Sequence, residues 1–96
     1  MSIQFEGDPN KAASNIKQHG VSFDEASSVF YDPLARIFDD DAHSFYELRE
    51  IIIGHSINGY LLFVAFSERK GNILRIISAR AADSTERKRY EEETNF

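Results

Sequence analysis

Two short turn signatures, Asn58-Gly59 and Lys70-Gly71-Asn72, separate three runs of apolar and β-branched residues and leave this chain few ways to fold. Asn and Gly reach the positive φ that tight hairpins require at little steric cost. Residues 46–55, 60–69 and 73–80 therefore read as successive strands of an antiparallel meander. Upstream, residues 34–39 can supply a further short strand before the acidic turn Asp39-Asp40-Asp41, and Ile3-Gln4-Phe5-Glu6 another.

Helix signals flank this β region. Asp8-Pro9 places an N-cap before a proline at the first helical position, and His19-Gly20 supplies a left-handed stop, so a helix is expected between them. Ser22-Phe23-Asp24-Glu25 has capping-box spacing and opens a second helix with Ala26, Val29 and Phe30 on one face, which Asp32-Pro33 ends. Asp83 with Glu86 three residues later opens a third, and residues 91–96 read as a frayed tail. The expected architecture is α+β: two N-terminal helices, an antiparallel β-sheet meander and a C-terminal helix, in a single domain over residues 1–96.

Charge is distributed unevenly. Residues 1–50 carry 4 Lys and Arg against 10 Asp and Glu, whereas residues 67–90 carry 7 against 3, in a chain of net charge −5. A cationic strand-to-helix segment within an acidic chain points to an anionic partner, phosphate foremost. With no cysteine, disulfides, thiolate catalysis and cysteine-bearing zinc sites are excluded. The N-terminus has neither a basic region nor an apolar run, and nothing approaches a membrane span, so a soluble, cytoplasmic protein with no membrane contact is expected. No His-rich spacing implies a metal, and no cofactor is implied.

A co-linear set of short motifs resembles the BrnT family: Asp8-Pro9-x-Lys11-Ala12, His19-Gly20-Val21-Ser22-Phe23-x-Glu25-Ala26, Val29-Phe30-x-Asp32-Pro33, His43-Ser44, Glu47-x-Arg49, Ile53-Gly54 and Arg75-Ile76-Ile77-Ser78-Ala79-Arg80. Each piece is weak, but their order over residues 5–90 is specific. The resemblance implies a ribonuclease toxin of a type II toxin–antitoxin pair, an endoribonuclease of the mRNA interferase type, related in fold to RelE and ParE toxins. It further implies neutralisation by a BrnA-like ribbon-helix-helix antitoxin, through which any DNA contact would be indirect. Gly7, Gln18 and Tyr60 depart from the Trp, Lys and basic residue expected there, and the last two departures remove positive charge.

Metal-independent RNA cleavage needs a base for the 2′-hydroxyl, an acid for the leaving 5′-oxygen and fixed positive charge on the phosphorane. The guanidinium fork suits the last role, and Arg69, Arg75 and Arg80 are the catalytic candidates for it. Strand parity sets Arg75 with Ile73 and Ile77 but Arg80 with Leu74, Ile76 and Ser78, so a bulge or strand end must intervene for both to serve one site. Arg75 can equally be paired with Glu47 or Glu68 across the sheet. Glu47 and Glu68 are the candidate acid or base; Glu47 and Arg49, two apart, would share a strand face, whereas Glu68 and Arg69 would not.

Arg49, Arg87, Lys88 and Tyr90 are the substrate-binding candidates. The trio Arg87-Lys88-Arg89 could follow an RNA backbone and Tyr90 stack on a base, or the trio could be a solvated face with Tyr90 packed inward. Glu86 is explained by its capping position. His19 suits a helix C-terminus, His43 can serve as base or turn cap, and His55 shares parity with Glu47 and Arg49. A non-catalytic alternative stands beside the enzyme: an antitoxin-binding module that contributes to a DNA-bound repressor complex.

Overall fold

A computed structural model describes residues 2–44 and 47–94, with the side chains of 93 and 94 excepted. Its elements run β1 (Gln4–Glu6), α1 (Pro9–His19), α2 (Phe23–Ser28), a 3₁₀ turn (Val29–Tyr31), β2 (Arg36–Asp39), a second 3₁₀ turn (Asp41–His43), β3 (Glu50–His55), β4 (Leu61–Arg69), β5 (Ile73–Ala81) and α3 (Ser84–Thr94). The sheet order is β1-β5-β4-β3-β2.

The local signals set these boundaries. Asp8 accepts from the Asn10 and Lys11 amides with Pro9 at the first helical position, and Gly20 takes φ 70° while its amide closes α1 on the Ile16 carbonyl. Ser22 caps α2 through the Glu25 amide. Gly59 at φ 83°, and Gly71 with Asn72 at φ 77° and 62°, turn the two hairpins.

Three expectations need correction. The sheet is mixed rather than antiparallel, because β1 pairs in parallel with the start of β5, Gln4 opposite Ile73. β3 begins at Glu50, so Glu47 and Arg49 precede the strand and no strand parity governs them; Tyr46, expected to open it, lies outside the described residues. The chain after Tyr90 is no tail through Thr94, because α3 continues to that residue.

Each sheet face has its own core. On one, Val21, Ala26 and Val29 from the α1–α2 region meet Ile52, Leu62, Val64, Phe66, Ile76 and Ala79. On the other, Tyr90 of α3 meets Ile51, Ile53, Leu61 and Ala65. Each fully buried large apolar side chain contributes roughly 1.5–3 kcal/mol.

Two buried features lock the α1/α2 face. Asn15 donates to the Val21 and Ala79 carbonyls at 2.9 and 2.7 Å and accepts from the Ala79 amide at 3.0 Å, completing the β5 edge that β1 is too short to cover. Gly54 lets β3 pass so close to its neighbours that a Cβ there would sit 2.9 Å from both Ala35 Cβ and Val29 Cγ1. Among the described residues, no helix is long and apolar enough to cross a membrane.

Candidate functional site

The β4–β5 ladder decides where the arginines point. It pairs Ala65 with Ser78 but Phe66 with Ile76, so Ile77 is an extra residue bulged out of register. Arg75 thereby stands opposite Ser67 and Arg80 opposite Phe63, two positions that lie on one face of the regular strand β4. The parity conflict in the sequence is resolved by this bulge. Arg69 shares the same face, and so does Arg36, which heads the cross-strand row Arg36, Ile53, Phe63, Arg80.

Arg80 is the best-held of the group. Its two terminal nitrogens each lie 2.8 Å from a Glu86 oxygen, a bidentate pair, and its guanidinium stacks 4.1 Å over the Phe63 ring. Glu86 is in turn fixed by the reciprocal capping box, accepting from the Asp83 amide while its own amide donates to Asp83. The helix cap therefore aims the arginine. The Glu86 hydrogen bonds raise the Arg80 pKa above its usual value, against the opposing effect of partial burial. Nε and one hydrogen of the second terminal nitrogen are not used by these bonds.

Arg69 and Arg75 lie nearer the other end of the face. Arg69 pairs with Glu47 at 3.0 Å, and Ser67 donates to the same carboxylate at 3.3 Å. Arg75 pairs with Glu6 at 3.3 Å, a partner from the parallel strand rather than Glu47 or Glu68. Arg69 and Arg75 are diagonal neighbours, about 7–8 Å apart. Four residue steps along β4, from Ser67 to Phe63, separate the row of Arg75 from that of Arg80, about 13 Å. The two rows thus present guanidinium groups at separate places along one face, as a polyanion with repeated phosphates requires.

The remaining candidates divide. Glu68 stands on the opposite face, with Phe66 and Glu50, and is not brought to the arginines. Arg49 anchors the approach to β3, its amide donating to Ser44 and its carbonyl accepting from Asp40. Arg87, Lys88 and Arg89 are exposed on α3, Lys88 in a loose 3.9 Å pair with Glu92 and Arg89 with its guanidinium 3.6 Å over the Phe38 ring. Tyr90 is only 5% exposed, so it packs rather than offering a ring to a base.

Tyr90 instead belongs to a node that joins α3 to the sheet. Its hydroxyl donates to Asp32 at 2.9 Å, the His55 amide donates to the same oxygen at 2.8 Å, and His55 Nδ1 lies 3.2 Å from the hydroxyl. Burial and the bond to Asp32 push the Tyr90 pKa up to about 12. Burial alone would raise Asp32, but the His55 and Leu34 amides, Tyr90 and the His55 charge outweigh it and hold the carboxylate below its ordinary range. His43 closes its loop on Asp40 at 3.1 Å, and His19 ends α1.

Glu50 escaped the sequence reading as a candidate. Its carboxyl is pushed up to about 7 by a hydrogen bond with Glu68, by burial and by the charges of Glu68 and Asp39. The signal was present in the hairpin: pairing Glu50 with Phe66 puts Glu68 diagonally beside it.

Residues 8–86 match the family described as the ribonuclease toxin, BrnT, of a type II toxin-antitoxin system. The chain belongs to the BrnT family. A crystal structure of the Brucella abortus ribonuclease toxin, BrnT, is similar in fold, with a TM-score of 0.67 at 24% identity over 86% of this chain and 100% of that one. No curated protein matches the chain. The match with the BrnT family spans the Asn15 clamp, the bulge at Ile77 and the Arg80–Glu86 pair.

Proposed function

We propose that this single-domain chain is a metal-independent endoribonuclease, a cytoplasmic toxin of the mRNA interferase type with RelE-like architecture, acting on RNA laid across the α3 face. The observation that carries this reading is the bulge at Ile77, which gathers Arg69, Arg75 and Arg80 on one face. The 2′-hydroxyl attacks the adjacent phosphorus, the P–O5′ bond breaks, and a 2′,3′-cyclic phosphate and a 5′-hydroxyl result. Arg80 stabilises the phosphorane charge through its unused N–H groups, and Arg69 and Arg75 hold a neighbouring phosphate. Glu47, beside Arg69, is the carboxylate placed to take or return the proton, and Arg87 and Lys88 add to the backbone field from α3. A BrnA-like ribbon-helix-helix antitoxin is the expected neutralising partner.

The test is direct. Purified protein, its fold checked by circular dichroism, is incubated with RNA in EDTA. Cleavage leaving cyclic phosphate ends is expected; intact RNA at high protein concentration would refute the enzymatic reading.

One observation favours the non-catalytic module as a second reading: Arg69, Arg75 and Arg80 each already face a glutamate. Growth arrest on expression without the antitoxin separates the two, since a module that only binds its partner leaves growth unchanged.

A further inference from the structure

The helical layer leaves part of the α1/α2 face uncovered. Phe30 meets Phe66 edge-on at 4.9 Å, and beyond it a cleft of about 560 Å³ opens over Ile52, Phe66 and Leu74. Ile3 and Ile37, 42% and 55% exposed, line the same cleft and extend its apolar surface toward solvent.

The charged groups there are one-sided. Asp32, Glu50 and Glu68 line the cleft, and Asp39 acts on Glu50 from β2. Arg69 is the one cation among the described lining residues, and its guanidinium is engaged by Glu47. Oε1 of Glu50 is buried without a hydrogen-bond partner, and the neighbouring Glu68 carboxyl, with burial, opposes ionisation of Glu50. An incoming ammonium or guanidinium relieves both conditions. Among the described residues no three His, Asp or Glu side chains form a metal-binding group. A cation on an apolar stem, a lysine or arginine, fits both the floor and the wall.

We propose that this cleft docks a segment of a partner protein that presents apolar side chains on one face and a lysine or arginine among them, the cation seated on Glu50 and Glu68. Phosphate is repelled from this surface, so the inference goes beyond the ribonuclease reading and stands or falls separately from it. Charge complementarity selects the occupant, and the exposed Ile3 and Ile37 set its minimum reach.

The probe is a short synthetic amphipathic helix of Leu and Lys, with a twin in which Glu replaces Lys, titrated into the ¹⁵N-labelled full chain at pH 8. The Lys peptide is expected to shift the Ile37, Ile52 and Phe66 amides and to bind at least ~10-fold tighter than its twin. Binding weakens at pH 5, where Glu50 holds its proton and the acidic groups around it among the described residues are Glu68, Asp39 and Asp32. The double variant Glu50→Gln/Glu68→Gln, which removes the repulsion and so keeps the fold, should lose at least ~10-fold in affinity. The charge-matched control Asp24→Asn/Glu92→Gln should lose no more than ~2-fold. Equal losses from both variants, equal binding of the two peptides, or shifts confined to Phe63 and Arg80 would overturn the proposal. So would movement of the cleft amides with protein concentration alone, which assigns the surface to a second copy of the chain.

Discussion

The two faces of one five-stranded sheet are built to different rules. On the α1/α2 face Asn15 makes three buried bonds, while Glu50, its carboxyl raised by burial and by Glu68, keeps one buried oxygen without a partner. On the α3 face, charged groups remain half-exposed, and arginines are oriented by glutamates and aromatic rings. The first face supplies stability. The second spends part of the sheet's surface on cationic groups that packing does not need, and such surface is what a polyanion reads.

This contrast can be broken by damaging one face at a time. The largest stability loss is expected on the α1/α2 face from Asn15→Leu, which leaves the Ala79 amide and two carbonyls without their partner and should cost about 2–4 kcal/mol. Urea unfolding measures it. Gly54→Ala follows, at about 1–3 kcal/mol, because the new methyl meets Val29 and Ala35 at 2.9 Å and presses on Asp32 at 3.1 Å. If that variant unfolds like the parent, β3 does not pass its neighbours as closely as described.

The smallest effect is one of slope. The Glu50 carboxyl is raised from 4.5 to about 7, so the stability linked to its proton is fully present below pH 4.5 and is lost as pH rises toward 7. Glu50→Gln should therefore flatten the stability profile between those values and leave the protein more stable than the parent at pH 8. An unchanged slope would mean that burial and Glu68 do not raise the Glu50 carboxyl.

The hairpin turns, both N-terminal helix caps and the Asp83–Glu86 box were legible because each rests on residues within four positions of one another. The parallel pairing of β1 was not, since nothing near Phe5 signals a partner 69 positions away at Leu74. The bulge was half-legible: parity showed that Arg75 and Arg80 needed one, but no glycine marks Ile77 as the extra residue. Glu47 was joined to Arg49 by a strand parity that does not exist, because β3 starts later, and its true partner Arg69 comes from β4. Glu50 went unnoticed because its chemistry arises from register and burial together, and neither is written in its neighbours.

In the proposed reaction the bulge-aligned arginine face cleaves RNA with Arg80 as its chief electrostatic group. This role is tested most directly by comparing RNA cleavage by the parent and by Arg80→Ala, each verified by a cooperative thermal transition. A rate loss of about 10²–10³-fold in a folded protein is expected. Cleavage by Arg80→Ala at the parent's rate would contradict it.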